Sequence, residues 1–174
     1  MLAANQTIEL KRASIRIQGE TPLLCKTLRP MGRDRWGFTT DGIFSALMTV
    51  AGHPLRGLVA IEGAGLVEIC ADDPTLRTDW VSDPAQQTVA RHEFFPWEML
   101  IRLRYDAARI KLDDLVSLFE RAGFQVGLGS HRPACSGSFG TFTVRNVMDL
   151  SDAGREAQTQ QSLRWPDEQR KMAR

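Results

Sequence analysis

Apolar and polar positions alternate along Thr7–Gly19, TIELKRASIRIQG, with Ile8 and Leu10 on one parity and Ala13, Ile15 and Ile17 on the other. A two-residue period marks a strand, and the parity switch near Arg12 predicts a bulge or two registers of one edge. Helical spacing first appears at Ile43, Phe44, Leu47, Met48 and Ala51, behind Thr40 or Asp41 as cap and ahead of Gly52 and Pro54. It predicts a helix over 41–51. Leu55–Cys70 carries two apolar runs about Glu62-Gly63-Ala64-Gly65, which reads as a strand pair or as one long bent strand. Strand character returns at Phe94, Phe95 and Trp97 and alternates through Met99, Ile101, Leu103 and Tyr105, with Arg102 and Arg104 on the opposite face. A second helix is predicted over 112–122, from Leu112, Leu115, Val116, Phe119 and Ala122, with Gly123 as its terminator. A last strand follows in FGTFTVRNV, where Phe142 and Val144 alternate with polar residues.

Strand, helix, strand or hairpin, strand, helix, strand is the order of the ferredoxin-like split βαβ unit. The fold class expected is therefore α+β: a ferredoxin-like, RRM-like antiparallel sheet with two helices on one face. Two segments lack the period and read as insertions, 20–40 and 71–91, with Trp80 anchoring the second. One domain over 1–148 is expected. Residues 149–174 form a polar tail, read as peripheral, as a helix frayed at Trp165-Pro166, or as an arm onto a neighbouring subunit.

Composition excludes several classes. With 43% hydrophobic and 25% charged residues in 174, the chain is an ordinary globular protein, and a net charge of +1 means that any basic site comes from local clustering. Cys25, Cys70 and Cys135 are odd in number and widely spaced, which argues for reduced thiols. No zinc spacing is present, and neither a metal nor a cofactor is expected. The N-terminal stretch lacks the apolar core of a signal peptide and no run approaches a membrane span, so the expected location is the cytoplasm, without membrane contact.

Candidate chemistry lies in two stretches. From Glu120 to Val144 the chain reads ERAGFQVGLGSHRPACSGSFGTFTV, in which Gly127, Gly129, Gly137 and Gly140 permit close backbone approach or positive φ. Successive N–H groups in such a loop form an anion-binding concavity, with Ser130, His131 and Arg132 at its mouth. Four glycines between two strands also fit a wide hairpin with Arg132 solvated. Lys26–Phe38 sets Lys26, Arg29, Arg33 and Arg35 against Asp34 alone, with Trp36 and Phe38 interleaved. Arginines among aromatics suit stacked bases and phosphates, although a solvated basic loop with Trp36 in the core has the same composition. Arg102 and Arg104 would line a groove if their face of the sheet is open. His53, just past the first helix, and His131 are the histidines with a conceivable role; His131 is the weak candidate for acid–base work, since no partner for it is evident.

A ferredoxin-like chain with a glycine-rich loop just after its second helix resembles the RAMP superfamily, the RNA-binding proteins of CRISPR effector complexes. Gly127-Leu128-Gly129 matches the first half of that loop pattern. The spacer Ser130–Ser136 is seven residues long, and Gly137-Ser138-Phe139-Gly140 has one residue too many in the second half. The loop is also similar to small phage and prophage proteins through Gly127-Leu128-Gly129, Arg132-Pro133 and Phe139-Gly140-Thr141-Phe142. The RNP1-like look of Gly137–Val144 is set aside, because in an RRM that segment precedes the second helix. The resemblance implies a non-catalytic protein that binds single-stranded RNA or DNA as a repeated subunit, a homo-oligomer or part of a larger nucleoprotein complex. Lys26–Phe38 would be a mobile basic finger and Gly127–Gly140 a phosphate cradle, so that Gly129→Val removes binding and spares the fold. The alternatives are an endoribonuclease of the same superfamily and a phage structural protein that binds protein instead.

Overall fold

The computed structural model describes residues 7–80 and 88–151. Its elements run β1 (Leu10–Gly19), β2 (Leu23–Cys25), β3 (Pro30–Gly32), β4 (Arg35–Thr39), α1 (Thr40–Val50), β5 (Val59–Ile61), β6 (Leu66–Ala71), β7 (Thr75–Trp80), β8 (Thr88–Phe94), β9 (Trp97–Asp106), α2 (Leu112–Gln125) and β10 (Phe142–Asp149). A 3-10 turn covers Pro133–Cys135.

The chain is an α+β protein with an antiparallel sheet and two helices, compatible with the arrangement expected from the sequence. Among the described residues, seven strands form one sheet in the order β10-β1-β9-β6-β4-β3, with β5 also on β9. Each pairing is antiparallel. Alternation decides which face is buried: Ala13, Ile15 and Ile17 of β1 and Trp97, Met99, Ile101, Leu103 and Tyr105 of β9 share a core with Ile43, Leu47, Leu115 and Phe119 of the helices. Over the opposite parity, with Arg12, Arg16, Glu98, Arg102 and Arg104, no helix lies among the described residues.

Several expectations change in detail. Segment 20–40, which has no readable period, holds three short strands: β2 pairs with β8, and β3–β4 extends the main sheet through β6. Segment 71–91 supplies most of the hairpin β7–β8, which joins β2 in a three-stranded sheet. The side chain of Trp80 and the tail from 152 onward lie outside the described residues. Strands β5 and β6 are not a hairpin. Both lie along one edge of β9, β5 opposite Leu103–Tyr105 and β6 opposite Trp97–Glu98, as one bent path would. The irregularity in β1 falls between Arg16 and Ile17 against β10, not near Arg12. No helix among the described residues is long and apolar enough to cross a membrane.

Helix α1 is capped by Thr39, whose Oγ1 accepts the N–H of Gly42 at 3.2 Å, one residue earlier than Thr40. Its last turn has no basic residue of its own; Arg121 of α2 donates to Val50 O at 2.8 Å and brings positive charge to that end. Helix α2 does not stop at Gly123 but runs on to Gln125. Gly123 is inside the helix because β10 crosses it there: a Cβ would overlap the carbonyl oxygen of Phe142. The terminator is Gly127, at φ +68°, whose N–H reaches back to Ala122 O at 2.8 Å.

Helix propensity alone makes Gly→Ala stabilising by about 1 kcal/mol. At Gly123 the sign reverses, because the methyl group must push β10 away. Gly123→Ala is expected to destabilise by about 1–3 kcal/mol, as overpacked sites do. Thermal unfolding checks it, and a melting temperature at or above wild type contradicts the packing assignment.

Candidate nucleic-acid interface

The glycine segment leaves α2 and folds back on itself and on β2. Most of its amides are used inside the protein: Leu128 N–H to Gly140 O, Ser130 to Leu24 O, Gly137 to Arg132 O, Phe139 to His131 O and Gly140 to Pro22 O, at 2.8–3.1 Å. Its glycines are explained the same way. A Cβ at Gly129 would overlap Leu24 O, one at Gly137 the His131 carbonyl, and one at Gly140 the Leu128 carbonyl. Gly129 and Gly140 also stand at φ +75° and +68°. Gly127, Gly129, Gly137 and Gly140 thus serve close packing of the protein's own backbone, and the segment is a wall rather than an open nest. The expectation that Gly129→Val spares the fold is corrected: a side chain there collides with β2 and takes a φ that L residues rarely adopt.

Some amides are left over, those of Gly129, Arg132 and Ser138 among them. Gly129 N–H has no acceptor among the described residues, and it sits beside a cleft of about 160 Å³ between the segment and α1. Phe38, Gly42, Ser45, Thr49, Val126 to Gly129 and Arg132 contribute to its lining. Arg132 is steadied by a 3.0 Å hydrogen bond from Nη1 to Gly129 O, which leaves its other N–H groups for a ligand. The hydroxyl of Ser45 is likewise uncommitted among the described residues, whereas Thr49 Oγ1 donates to Ser45 O at 2.9 Å. None of the lining residues is acidic, and Gly42 lies in the first turn of α1, beside Asp41. A lining that offers donors and no carboxylate has the chemistry to accept an anion.

Ser130 borders the wall through its bond to Leu24 O. His131 stands at φ +52° with Nε2 buried, so this nitrogen does not meet solvent. His53 is exposed. Among the described residues no three His, Cys, Asp or Glu side chains cluster as metal ligands.

The basic segment begins and ends at this wall, since Leu24 accepts from Ser130 and Phe38 lines the cleft. Its residues are not equivalent. Lys26 and Arg29 are exposed, and Arg33 at the β3–β4 turn is paired loosely with Asp34 at 3.7 Å, with its side chain 96% exposed. Arg35 points to the other side of the sheet, where Nε donates to Glu68 at 2.7 Å; the hydrogen bond and charge of Glu68 raise the guanidinium pKa further. Trp36 is half-buried against the core, with Nε1 enclosed and lacking an acceptor among the described residues. Arg102 and Arg104 are on the uncovered sheet face, away from the cleft, and Arg104 Nε lies 3.4 Å from Glu62.

No protein-family model matches the chain, and no curated protein matches its sequence. Among solved structures, a chain in the cryo-EM structure of the Type III-B Cmr-beta bound to cognate target RNA is similar, with TM-score 0.49 and 10% sequence identity over 82% of this chain. The match spans 61% of that other chain's length.

Two measurements check this geometry. Gly129→Val is expected to lower the melting temperature by several degrees through a cost of about 1–3 kcal/mol; an unshifted transition shows that β2 does not press on the loop. Cys25 is buried, which pushes its thiol from 9.0 up to about 12, while Cys135 is exposed. At pH 8 a thiol reagent should therefore label Cys135 readily and Cys25 only after unfolding. The raised pKa favours folding below about pH 9, and that contribution fades as pH rises toward 12.

Proposed function

We propose that this chain is a non-catalytic single-strand nucleic-acid-binding protein of RAMP type, built on a ferredoxin-like fold and working as a repeated subunit of a nucleoprotein complex. The observation that carries the reading is the acid-free cleft between α1 and the glycine segment, where Gly129 N–H, the Ser45 hydroxyl and Arg132 all offer donors. Donors fixed on a helix and on a tightly hydrogen-bonded wall are organised before a ligand arrives, so little ordering is required of them on binding. A phosphodiester oxygen matches that set, and the exposed Lys26, Arg29 and Arg33 extend positive charge from the cleft's edge.

The strand order supports the ferredoxin-like part. With the added strands left aside, β10-β1-β9-β6 with one helix after β1 and one after β9 is the split βαβ repeat. Burial of His131 Nε2 favours binding over a ribonuclease role for that ring.

The test is single-strand affinity against salt for four variants. Arg132→Ala should weaken binding by about 1–3 kcal/mol, as loss of a charge-assisted contact does. Arg29→Ala and Arg33→Ala should each flatten the salt slope by about 0.7 where a phosphate contact is lost. Arg35→Ala, whose guanidinium is committed to Glu68, should leave both unchanged. Wild-type affinity and slope in Arg132→Ala and in the Arg29/Arg33 pair overturn the reading.

A further inference from the structure

The face of the sheet that bears no helix among the described residues carries arginines that the cleft does not use. The register puts Arg12 directly opposite Arg104 and Ser14 directly opposite Arg102, with Arg16 two residues beyond Ser14 on the same face. Like charges opposite one another are destabilising, and two carboxylates offset part of the cost. Glu62 bridges Arg12 at 3.0 Å and Arg104 at 3.4 Å, and Glu98 takes Arg16 at 3.5 Å. Arg102 differs: among the described residues its half-buried guanidinium has no hydrogen-bond or ion-pair partner. Beside it Ser14 is 1% exposed, and its Oγ has no partner either. A buried hydroxyl and a flanking guanidinium, both able to donate, sit among three arginines that two glutamates partly neutralise.

We propose that this face holds a second phosphate-binding site, centred on Ser14 and Arg102, with Arg12, Arg16 and Arg104 at its rim. It lies on the opposite side of the sheet from the cleft and does not depend on the cleft's function. Phosphate fits better than carboxylate. Its oxygens are tetrahedral, so one can reach the Ser14 hydroxyl in the floor while others meet the Arg102 fork and the rim. The two coplanar oxygens of a carboxylate are satisfied by one arginine alone. The phosphate belongs either to a nucleic-acid backbone or to a small phosphorylated molecule.

Thermal unfolding of the full chain in sodium phosphate, against sodium chloride of equal ionic strength, tests the site. Wild type should melt higher in phosphate. In the Arg132→Ala background, which removes the cleft's share, Arg102→Gln should lose the remaining shift while melting no lower in chloride than that background, because it removes an uncompensated charge; Ser14→Ala should weaken the same remaining shift. A single-stranded oligonucleotide and pyrophosphate then separate the sources. Tenfold weaker oligonucleotide binding by Arg102→Gln assigns the site to a phosphodiester backbone. Unchanged oligonucleotide binding with lost pyrophosphate binding assigns it to small phosphorylated molecules. Equal melting of wild type in the two salts, or a remaining phosphate shift that Arg102→Gln leaves undiminished in the Arg132→Ala background, overturns the proposal. So does stabilisation by polyglutamate without stabilisation by phosphate, which points to an acidic protein segment.

Discussion

Everything around the cleft depends on the backbone of residues 20–25 lying flush against the backbone of residues 128–141. Glu20 N–H donates to Thr141 O at 2.9 Å, Gly140 N–H to Pro22 O and Ser130 N–H to Leu24 O at 2.8 Å. Trp97 Nε1 joins at 2.8 Å to Thr21 O, and the Thr21 and Thr141 hydroxyls meet at 2.9 Å. Chains this close leave no room for a Cβ atom, which is why Gly129 faces the Leu24 carbonyl across the seam, while Gly140 faces the Leu128 carbonyl within its own segment. The seam joins the end of the central strand to the loop after α2, two places more than a hundred residues apart in sequence. It fixes one wall of the cleft, and α1, held by Thr39 at one end and by Arg121 at the other, supplies the second.

That seam changes how a glycine-rich loop can act. An open nest presents several amides to an anion and is ordered by it. Here the amides are spent on the protein, and rigidity is gained where amides are lost. On the proposed reading, recognition falls to a few groups carried on the wall, among them the Gly129 N–H and the Arg132 fork anchored on Gly129 O. Such a surface suits a ligand bound through one or two phosphates at a fixed position, with longer contact supplied by the exposed lysine and arginines of the β2–β4 segment.

The long periodic elements were legible: β1, β9, both helices and β10 each repeat their apolar pattern often enough to declare a buried face. Three-residue strands such as β2, β3 and β5 are not legible, because one or two alternations carry no period and their existence depends on partners elsewhere in the chain. Gly123 was misread for a related reason. A glycine near a helix end signals a stop by local rules, and only the crossing of β10 makes it an interior residue. The basic stretch was legible as composition but not as geometry. Arg33 and Arg35 are two residues apart, yet Glu68, thirty-three residues from Arg35, commits the guanidinium of one of them. Arg12, Arg16 and Ser14 lie on the polar parity of β1, where alternation declares only which face is not buried against the helices.

A net charge of +1 is a weak guide to anion binding in this molecule, because the charges are sorted by face. On the sheet's uncovered side, Glu62, Glu68 and Glu98 interleave with arginines in pairs that water can reach, and exposed pairs of that kind contribute little net stability. Their effect is on the field, which cancels at a distance and survives only where a guanidinium has no carboxylate. The cleft's lining holds Arg132 and no acid, while Asp41 stands in the first turn of α1 next to Gly42. Removing the glutamates rather than the arginines would therefore raise overall attraction to polyanions while blurring where they bind. The near balance of charge on the whole chain is what confines attraction to particular sites.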